Sequence, residues 1–115
     1  MAVLAVVDDL VFRGKIESAA AHLGVVLSIA PDSSATLRLL GGVSWSLVIV
    51  DLDLATSKPL ELIQAVRQVV PTAQVIGYCS HVQADLQKQA KRAGCTSVLT
   101  RAAFVQRLPA LLAGN

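Results

Sequence analysis

Five times along this chain a short strand-like apolar run gives way to a stretch whose apolar residues recur at helical spacing. That alternation constrains the fold more than any other feature. The runs span residues 2–7, 25–30, 46–50, 74–79 and 97–100. The first is apolar without a break, as expected of a strand buried on both faces in a parallel sheet. Between the runs the spacing predicts five helices. Phe12, Ile16, Ala19 and Leu23 fall on one face of the first, which Asp9 is placed to cap and Gly24 ends. Pro31-Asp32-Ser33-Ser34 is a turn and helix start, leading through Leu37 and Leu40 to a stop at Gly41-Gly42. Residues 52–58 read as a loop, and Pro59 suits the first position of a third helix carrying Leu62, Ile63, Val66 and Val69, closed by Pro71. Residues 81–93 form the fourth helix, with Val82, Leu86, Ala90 and Ala93 inward and Gly94 as its stop. The fifth covers 102–112, with Phe104, Leu108 and Leu112 inward.

Alternating buried strands and amphipathic helices predict an α/β fold with helices on both sheet faces. Five strands fit a flavodoxin-like, doubly wound parallel sheet in the order 2-1-3-4-5, whose sites form at the carboxyl ends of the strands. A chain of 115 residues is one domain, 1–115, able to bury roughly two thirds of its unfolded surface. Hydrophobic residues make up 54% and charged residues only 16%, against about 25% charged in a typical soluble domain. Alanine explains much of the excess, but so few charges also suggest a surface partly covered by a partner. A net charge of +2 is too small to argue for nucleic acid or an anionic membrane as that partner, and neither is expected. Cys79 and Cys95 lack metal-site spacing and read as reduced thiols. No transmembrane run exists, and the apolar start is cut short by Asp8-Asp9 without a leader or cleavage site, so the expected location is the cytoplasm.

In the predicted order the first and third strands are neighbours, about 4.8 Å apart. Their carboxyl ends carry Asp8-Asp9 and Asp51, with Asp53 two residues on. Carboxylates gathered this closely repel one another, and at least one should have a raised pKa. A hard divalent cation relieves the repulsion, and Mg²⁺ suits one or two carboxylates, water and a phosphoryl oxygen. One acid of the first pair is expected to cap the first helix in any case. Three acids at two adjacent strand ends exceed what capping needs.

These residues resemble the response-regulator receiver family. Val-Val-Asp-Asp at 6–9 is similar to the receiver acid pair, and Leu-Val-Ile-Val-Asp-Leu-Asp-Leu at 47–54 to the strand ending in the phospho-accepting aspartate. Pro-Leu-Glu-Leu-Ile at 59–63 is similar to the start of the receiver's third helix, and Ala-Gly-Cys-Thr-Ser-Val-Leu-Thr-Arg at 93–101 to the segment leading to the family's lysine. The resemblance covers nearly the whole chain. It implies that Asp51 attacks the phosphorus of a phosphohistidine on a sensor histidine kinase or phosphotransfer protein, or of a small phosphodonor. It implies Mg²⁺ held by Asp8, Asp9 and Asp51 with the backbone carbonyl of Asp53. Phosphoryl transfer needs an oxygen nucleophile in line and positive charge on the equatorial oxygens, which this set would supply. The acyl phosphate would then bias a switch between two arrangements of the domain.

Several positions depart from the family pattern. The threonine or serine that ends the fourth strand aligns with Cys79, a weak donor, or after a one-residue shift with Ser80. The lysine aligns with Arg101, whose guanidinium is longer and planar. The proline normally following through a cis bond is Ala102, so a trans bond is expected there. The aromatic switch position is Val98, and Pro59 stands where a glycine is usual. The nucleophile and metal acids are kept while the phosphate-sensing half is altered, which makes this an atypical receiver.

The resemblance places the partner surface on residues 81–112, where Lys88, Lys91, Arg92 and Arg107 are candidate contacts. With the chain ending soon after the fifth helix, output is expected through contact with another protein or a second copy. His22 reads as a surface residue, His81 as a solvent-facing helix start beside the pocket, and Trp45 as packing at the sheet's amino end. A phosphate-independent pseudo-receiver adaptor is the alternative function. Asp51-Leu52-Asp53 also resembles the motif of haloacid-dehalogenase-type phosphatases. Those enzymes carry it on their first strand and need a larger body, so an enzyme is not expected. A flavin is disfavoured because Asp8-Asp9 would repel its phosphate.

Overall fold

The computed structural model describes residues 2–54, 58–81 and 83–114. Strands β1 (Ala2–Val6), β2 (Val26–Ala30), β3 (Trp45–Asp51), β4 (Gln74–Cys79) and β5 (Ser97–Thr100) alternate with helices α1 (Leu10–Leu23), α2 (Ser33–Leu40), α3 (Pro59–Val69), α4 (Ala84–Ala93) and α5 (Arg101–Leu112). All strands pair in parallel, in the order β2-β1-β3-β4-β5. This is the flavodoxin-like sheet expected from the alternation.

Side chains alternate across each strand and so sort into two cores. Val3, Ala5, Val7, Leu47, Ile49, Ile76 and Tyr78 pack on one face against Phe12 and Ile16 of α1 and Phe104, Leu108 and Leu112 of α5. Leu4, Val6, Val48, Val50, Val75 and Cys79 face the other way, against Leu40 of α2, Leu62, Ile63 and Val66 of α3, and Ala90 and Ala93 of α4. Gly77 is needed in β4 because a Cβ there would lie 2.9 Å from Leu52 Cδ1 and 3.3 Å from Cys95 Sγ.

Local chemistry sets the helix limits. Asp9 Oδ1 accepts from the amides of Val11 (2.8 Å) and Phe12 (3.2 Å), Asp32 Oδ1 from Ala35 (2.8 Å), and Thr100 Oγ1 from Ala103 (3.1 Å). Gly24 ends α1 at φ 68°, a left-handed conformation that glycine adopts without strain. Arg67 ties together the ends of the sheet remote from the carboxyl termini of the strands. Its Nε and Nη2 donate to Gly94 O (3.1 and 2.7 Å), and its Nη1 donates to Pro71 O (3.0 Å) and Ala73 O (2.6 Å).

Some expectations need correction. The fully buried residue of α1's third turn is Ala20, and Leu23, the last residue of the helix, is exposed although 3.6-residue spacing keeps it within about 20° of the Phe12 face. In α2 the buried position falls on Thr36, whose hydroxyl donates to Asp32 O (2.8 Å), and Leu37 is exposed, as is Val69 of α3. Helix α4 begins at Ala84, three residues later than expected, since Ser80 is committed to a side chain of the β3 loop and His81 lies in an exposed bend. Val82 and residues 55–57 of the loop lie outside the described residues. Trp45 opens β3, and its buried Nε1 donates to Leu40 O (3.3 Å) at the amino end, as expected. Among the described residues no peptide bond is cis, so Ala102 follows Arg101 through a trans bond. No described helix is long and apolar enough to cross a membrane.

Candidate functional site

Asp51 is the last residue of β3 and is 2% exposed. It pairs in register with Tyr78, so both side chains project from the α1/α5 face. Asp51 Oδ1 accepts from the amide of Asp53 (2.9 Å), leaving Oδ2 toward the pocket. Burial raises the Asp51 pKa above the ordinary carboxylate value, and the charges of Asp53 and Asp8 add to the rise. The Asp53 amide and the Arg101 guanidinium oppose it.

The first residue of α5 lays its guanidinium across the acids. Arg101 Nη1 stands 4.0 Å from Asp9 Oδ2, and Nη2 stands 4.0 Å from Asp51 Oδ2 and 3.7 Å from Asp53 Oδ2. These are ion-pair distances too long for hydrogen bonds. The guanidinium also lies over the Phe12 ring, 4.9 Å from its centroid. Its Nε is buried without a hydrogen-bond partner. Asp8 is exposed at the rim.

Strand parity settles which residue of 79–80 faces this pocket. Cys79 points to the α3/α4 core, and its thiol donates to His81 O (3.3 Å). Burial, Asp53 and Asp51 together raise its pKa. Its proposed place beside Asp51 is therefore corrected: it lies on the opposite face of the sheet. Ser80, one residue on, falls on the Asp51 side, where its amide and hydroxyl both donate to Asp53 Oδ2 (2.7 and 2.6 Å).

Tyr78 escaped the reading of the sequence. Its ring is wholly buried, stacked between Phe12 (5.0 Å) and Phe104 (4.6 Å), and its hydroxyl lies beside the Asp51 carboxylate without a hydrogen bond of good geometry. Burial, and then the neighbouring Asp51 carboxylate, push the phenol pKa far up. The available signal was its place two residues before Ser80, on the same face of a strand. A groove of about 720 Å³ between α1 and α5, lined by Val11, Lys15, His22 and Pro109 among others, lies apart from these acids.

The free oxygens are hard donors of the kind a divalent cation takes, but as arranged they converge on Arg101. Among the described residues no group of three or more acidic, histidine or cysteine side chains is spaced to hold a metal. In this arrangement the pocket is built around a guanidinium, and its donor set is not laid out for a metal ion.

No family profile matches the sequence, and no curated protein does. Solved structures do. A response regulator from Burkholderia pseudomallei, described with a phosphorylated aspartic acid, calcium ion and citrate, superposes at TM-score 0.87 with 24% identity over 96% of this chain and 65% of its own. The chemotaxis response regulator CheY4 of Vibrio cholerae gives 0.85 with 19% identity over 98% of this chain and 96% of its own. The fold is that of response-regulator receivers. A response regulator from Thermotoga maritima gives 0.84 with 19% identity, 98% of this chain and 94% of its own. The receiver fold places Asp51 at the carboxyl end of its central strand, between the neighbouring ends of β1 and β4.

Proposed function

We propose that this receiver, residues 1–115, acts in two-component signal transduction by accepting a phosphoryl group at Asp51 and passing the signal on through protein contact. One observation carries the reading: a buried carboxylate with one oxygen fixed by the Asp53 amide and the other facing a cation. An ionised carboxylate is costly to bury, and capping or strand termination does not call for one there.

In the proposed step Asp51 Oδ2 attacks the phosphorus of a phosphohistidine on a sensor kinase or phosphotransfer protein. The new O–P bond forms as the P–N bond breaks, and the electron pair leaves with the imidazole. Arg101 would hold the developing equatorial charge, and the hydroxyls of Ser80 and Tyr78 are the neutral donors on the same face. The family resemblance would put Mg²⁺ at Asp8, Asp9, Asp51 and the carbonyl of Asp53, but here the free oxygens of Asp9, Asp51 and Asp53 face Arg101, so charge neutralisation in the proposed step falls to that guanidinium. The protein is thus an acceptor and not a turnover enzyme. The exposed Lys88, Lys91, Arg92 and Arg107 belong to the proposed output face, 81–112, toward another protein or a second copy.

Acetyl phosphate with MgCl₂, followed by intact-mass measurement, tests the reading. A gain of one phosphoryl group in the wild type, absent in Asp51→Asn, supports it; equal labelling of both overturns it. A phosphate-independent adaptor is favoured by the closed arrangement of Arg101 on three acids and of Ser80 on Asp53. No labelling of folded wild type would select that reading.

A further inference from the structure

The sheet has two edges, β2 and β5, and they are finished differently. Strand β5 is four residues long, begins and ends on the hydroxyl residues Ser97 and Thr100, and runs directly into Arg101. Strand β2 lies within residues 23–31, Leu-Gly-Val-Val-Leu-Ser-Ile-Ala-Pro, a stretch without a charged residue. Proteins ordinarily blunt an edge with a charge, a proline inside the strand or a bulge, and β2 has none of these. Val26 is 68% exposed, Leu23 is exposed just before the strand, and Leu27, Ser28 and Ile29 are half-buried, so the edge is open.

The backbone of β2 determines what fits against it. In a parallel pair, alternate residues turn both N–H and C=O toward the neighbouring strand. Ala30 O accepts from the Val7 amide (3.0 Å), which turns Ala30 and Ser28 toward β1 and leaves the amides and carbonyls of Leu27 and Ile29 pointing outward. The free run ends on both sides. The Val25 amide already donates to Ala20 O (2.9 Å), and Pro31 has no N–H. What remains is two donors and two acceptors placed symmetrically about Ser28, and another strand is the structure that satisfies such a row.

We propose that β2 pairs antiparallel with β2 of a second copy of this chain, about a two-fold axis at Ser28, joining the two five-stranded sheets into one. This register uses every free group. Leu27 exchanges hydrogen bonds with Ile29 of the second copy and Ile29 with its Leu27, while Ser28 faces Ser28 in the non-hydrogen-bonded position. It also sets Leu27 against Ile29 on the α1/α5 face, where each packs only partly against its own core, and the exposed Val26 against Ala30 on the other face. The occupant is a second copy because the free groups are self-complementary, as a two-fold contact requires, and because an uncharged edge meets itself without like charges opposed. A charged content of only 16% agrees with a surface covered in this way. The interface is at the edge opposite β5, with β1 between it and β3, so it leaves Asp51 and residues 81–112 free and stands apart from the phospho-acceptor reading.

Sedimentation velocity of the full chain from micromolar to millimolar concentration, with Ser28→Lys for comparison, tests the pairing. The variant sets two ammonium groups face to face at the axis. The wild type should pass from monomer to dimer over that range, with association at least tenfold weaker in Ser28→Lys. A wild type still monomeric at millimolar concentration overturns the proposal, as does equal association of the two proteins. Residue-resolved hydrogen exchange of the wild type needs no variant. The Leu27 and Ile29 amides should gain protection in step with the dimer fraction, while those of Ser28 and Ala30, already turned to β1, should not change; a dimer without that pattern overturns the proposal. Cys79 and Cys95 are buried, so an introduced thiol reads the register. Under oxidised glutathione Ser28→Cys should form an interchain disulfide, because Cα atoms of a non-hydrogen-bonded pair lie about 4.5 Å apart. Val26→Cys, displaced along the strand from the axis, should not, and equal cross-linking of the two overturns the axis at Ser28.

Discussion

Replacing Tyr78 by phenylalanine should make the protein more stable. The hydroxyl is wholly buried beside the Asp51 carboxylate without a hydrogen bond of good geometry, while the ring stacks on Phe12 and Phe104 and would keep those contacts. A buried hydroxyl without a hydrogen bond costs about 1–3 kcal/mol relative to water. Part of that gain is offset by the small void left behind, so a net stabilisation of about 1–2 kcal/mol is expected. Unfolding entropy of about 2.1 cal/mol/K per residue, scaled to 115 residues, gives about 0.24 kcal/mol/K, so Tm should rise by about 4–8 °C. Scanning calorimetry and urea unfolding at neutral pH read both quantities. A loss of 1 kcal/mol or more would refute the reasoning, because it would show that the hydroxyl already has a partner. Repeating the substitution in Asp51→Asn would then identify that partner as the carboxylate if the loss disappeared.

Asp51→Asn should itself stabilise the fold at pH 7. Burial raises the folded pKa of Asp51, so ionisation works against the native state once the pH exceeds the unfolded value of about 3.9, and fully so above the folded value. The advantage of asparagine should therefore shrink as pH falls and vanish below about pH 4; a difference independent of pH in urea titrations would contradict the assigned cause. Arg67→Ala removes four hydrogen bonds to three carbonyls and should lower stability by about 2–4 kcal/mol with the urea m-value unchanged. Gly94→Ala should cost about 1–3 kcal/mol, since φ is 130° and the new Cβ would lie 3.0 Å from Arg67 Cβ. Additive losses in the Gly94→Ala, Arg67→Ala double variant, measured by thermal melting, would exclude a steric share from Arg67 Cγ and Nε, which lie 3.1 and 3.2 Å from the new Cβ and are removed by the truncation while Cβ stays.

The sheet order was legible because the strands are apolar runs punctuated by Gly24, Gly42, Gly94 and Pro59, each of which says where a helix stops or starts. The starts of α4 and α5 were less legible. Ser80 and Thr100 bond at the edges of elements, through contacts that depend on where Asp53 and the next turn fall in space. The acids of the pocket could be read from strand ends. Arg101 could be aligned but not placed, since whether a long side chain points to solvent or folds over Phe12 is decided by packing. Cys79 and Tyr78 show the opposite error. A parity count from Asp51 across the register would have put the thiol on the far face and the phenol on the near one, but that register is a tertiary fact.

Asp9 has consequences for how such a pocket ages. One of its oxygens caps α1 and the other faces Arg101, so the residue serves the helix whether or not any ligand is ever bound. Loss of a capping aspartate costs about 1 kcal/mol, enough for selection on stability alone to retain it after a binding role has lapsed. Asp51 has the opposite standing: its burial raises its pKa and works against the fold, so drift would remove it once its chemistry was no longer needed. Of the two acids, the buried one is the better witness to function, and the capping one would persist in a descendant that had lost the proposed phosphoryl acceptance.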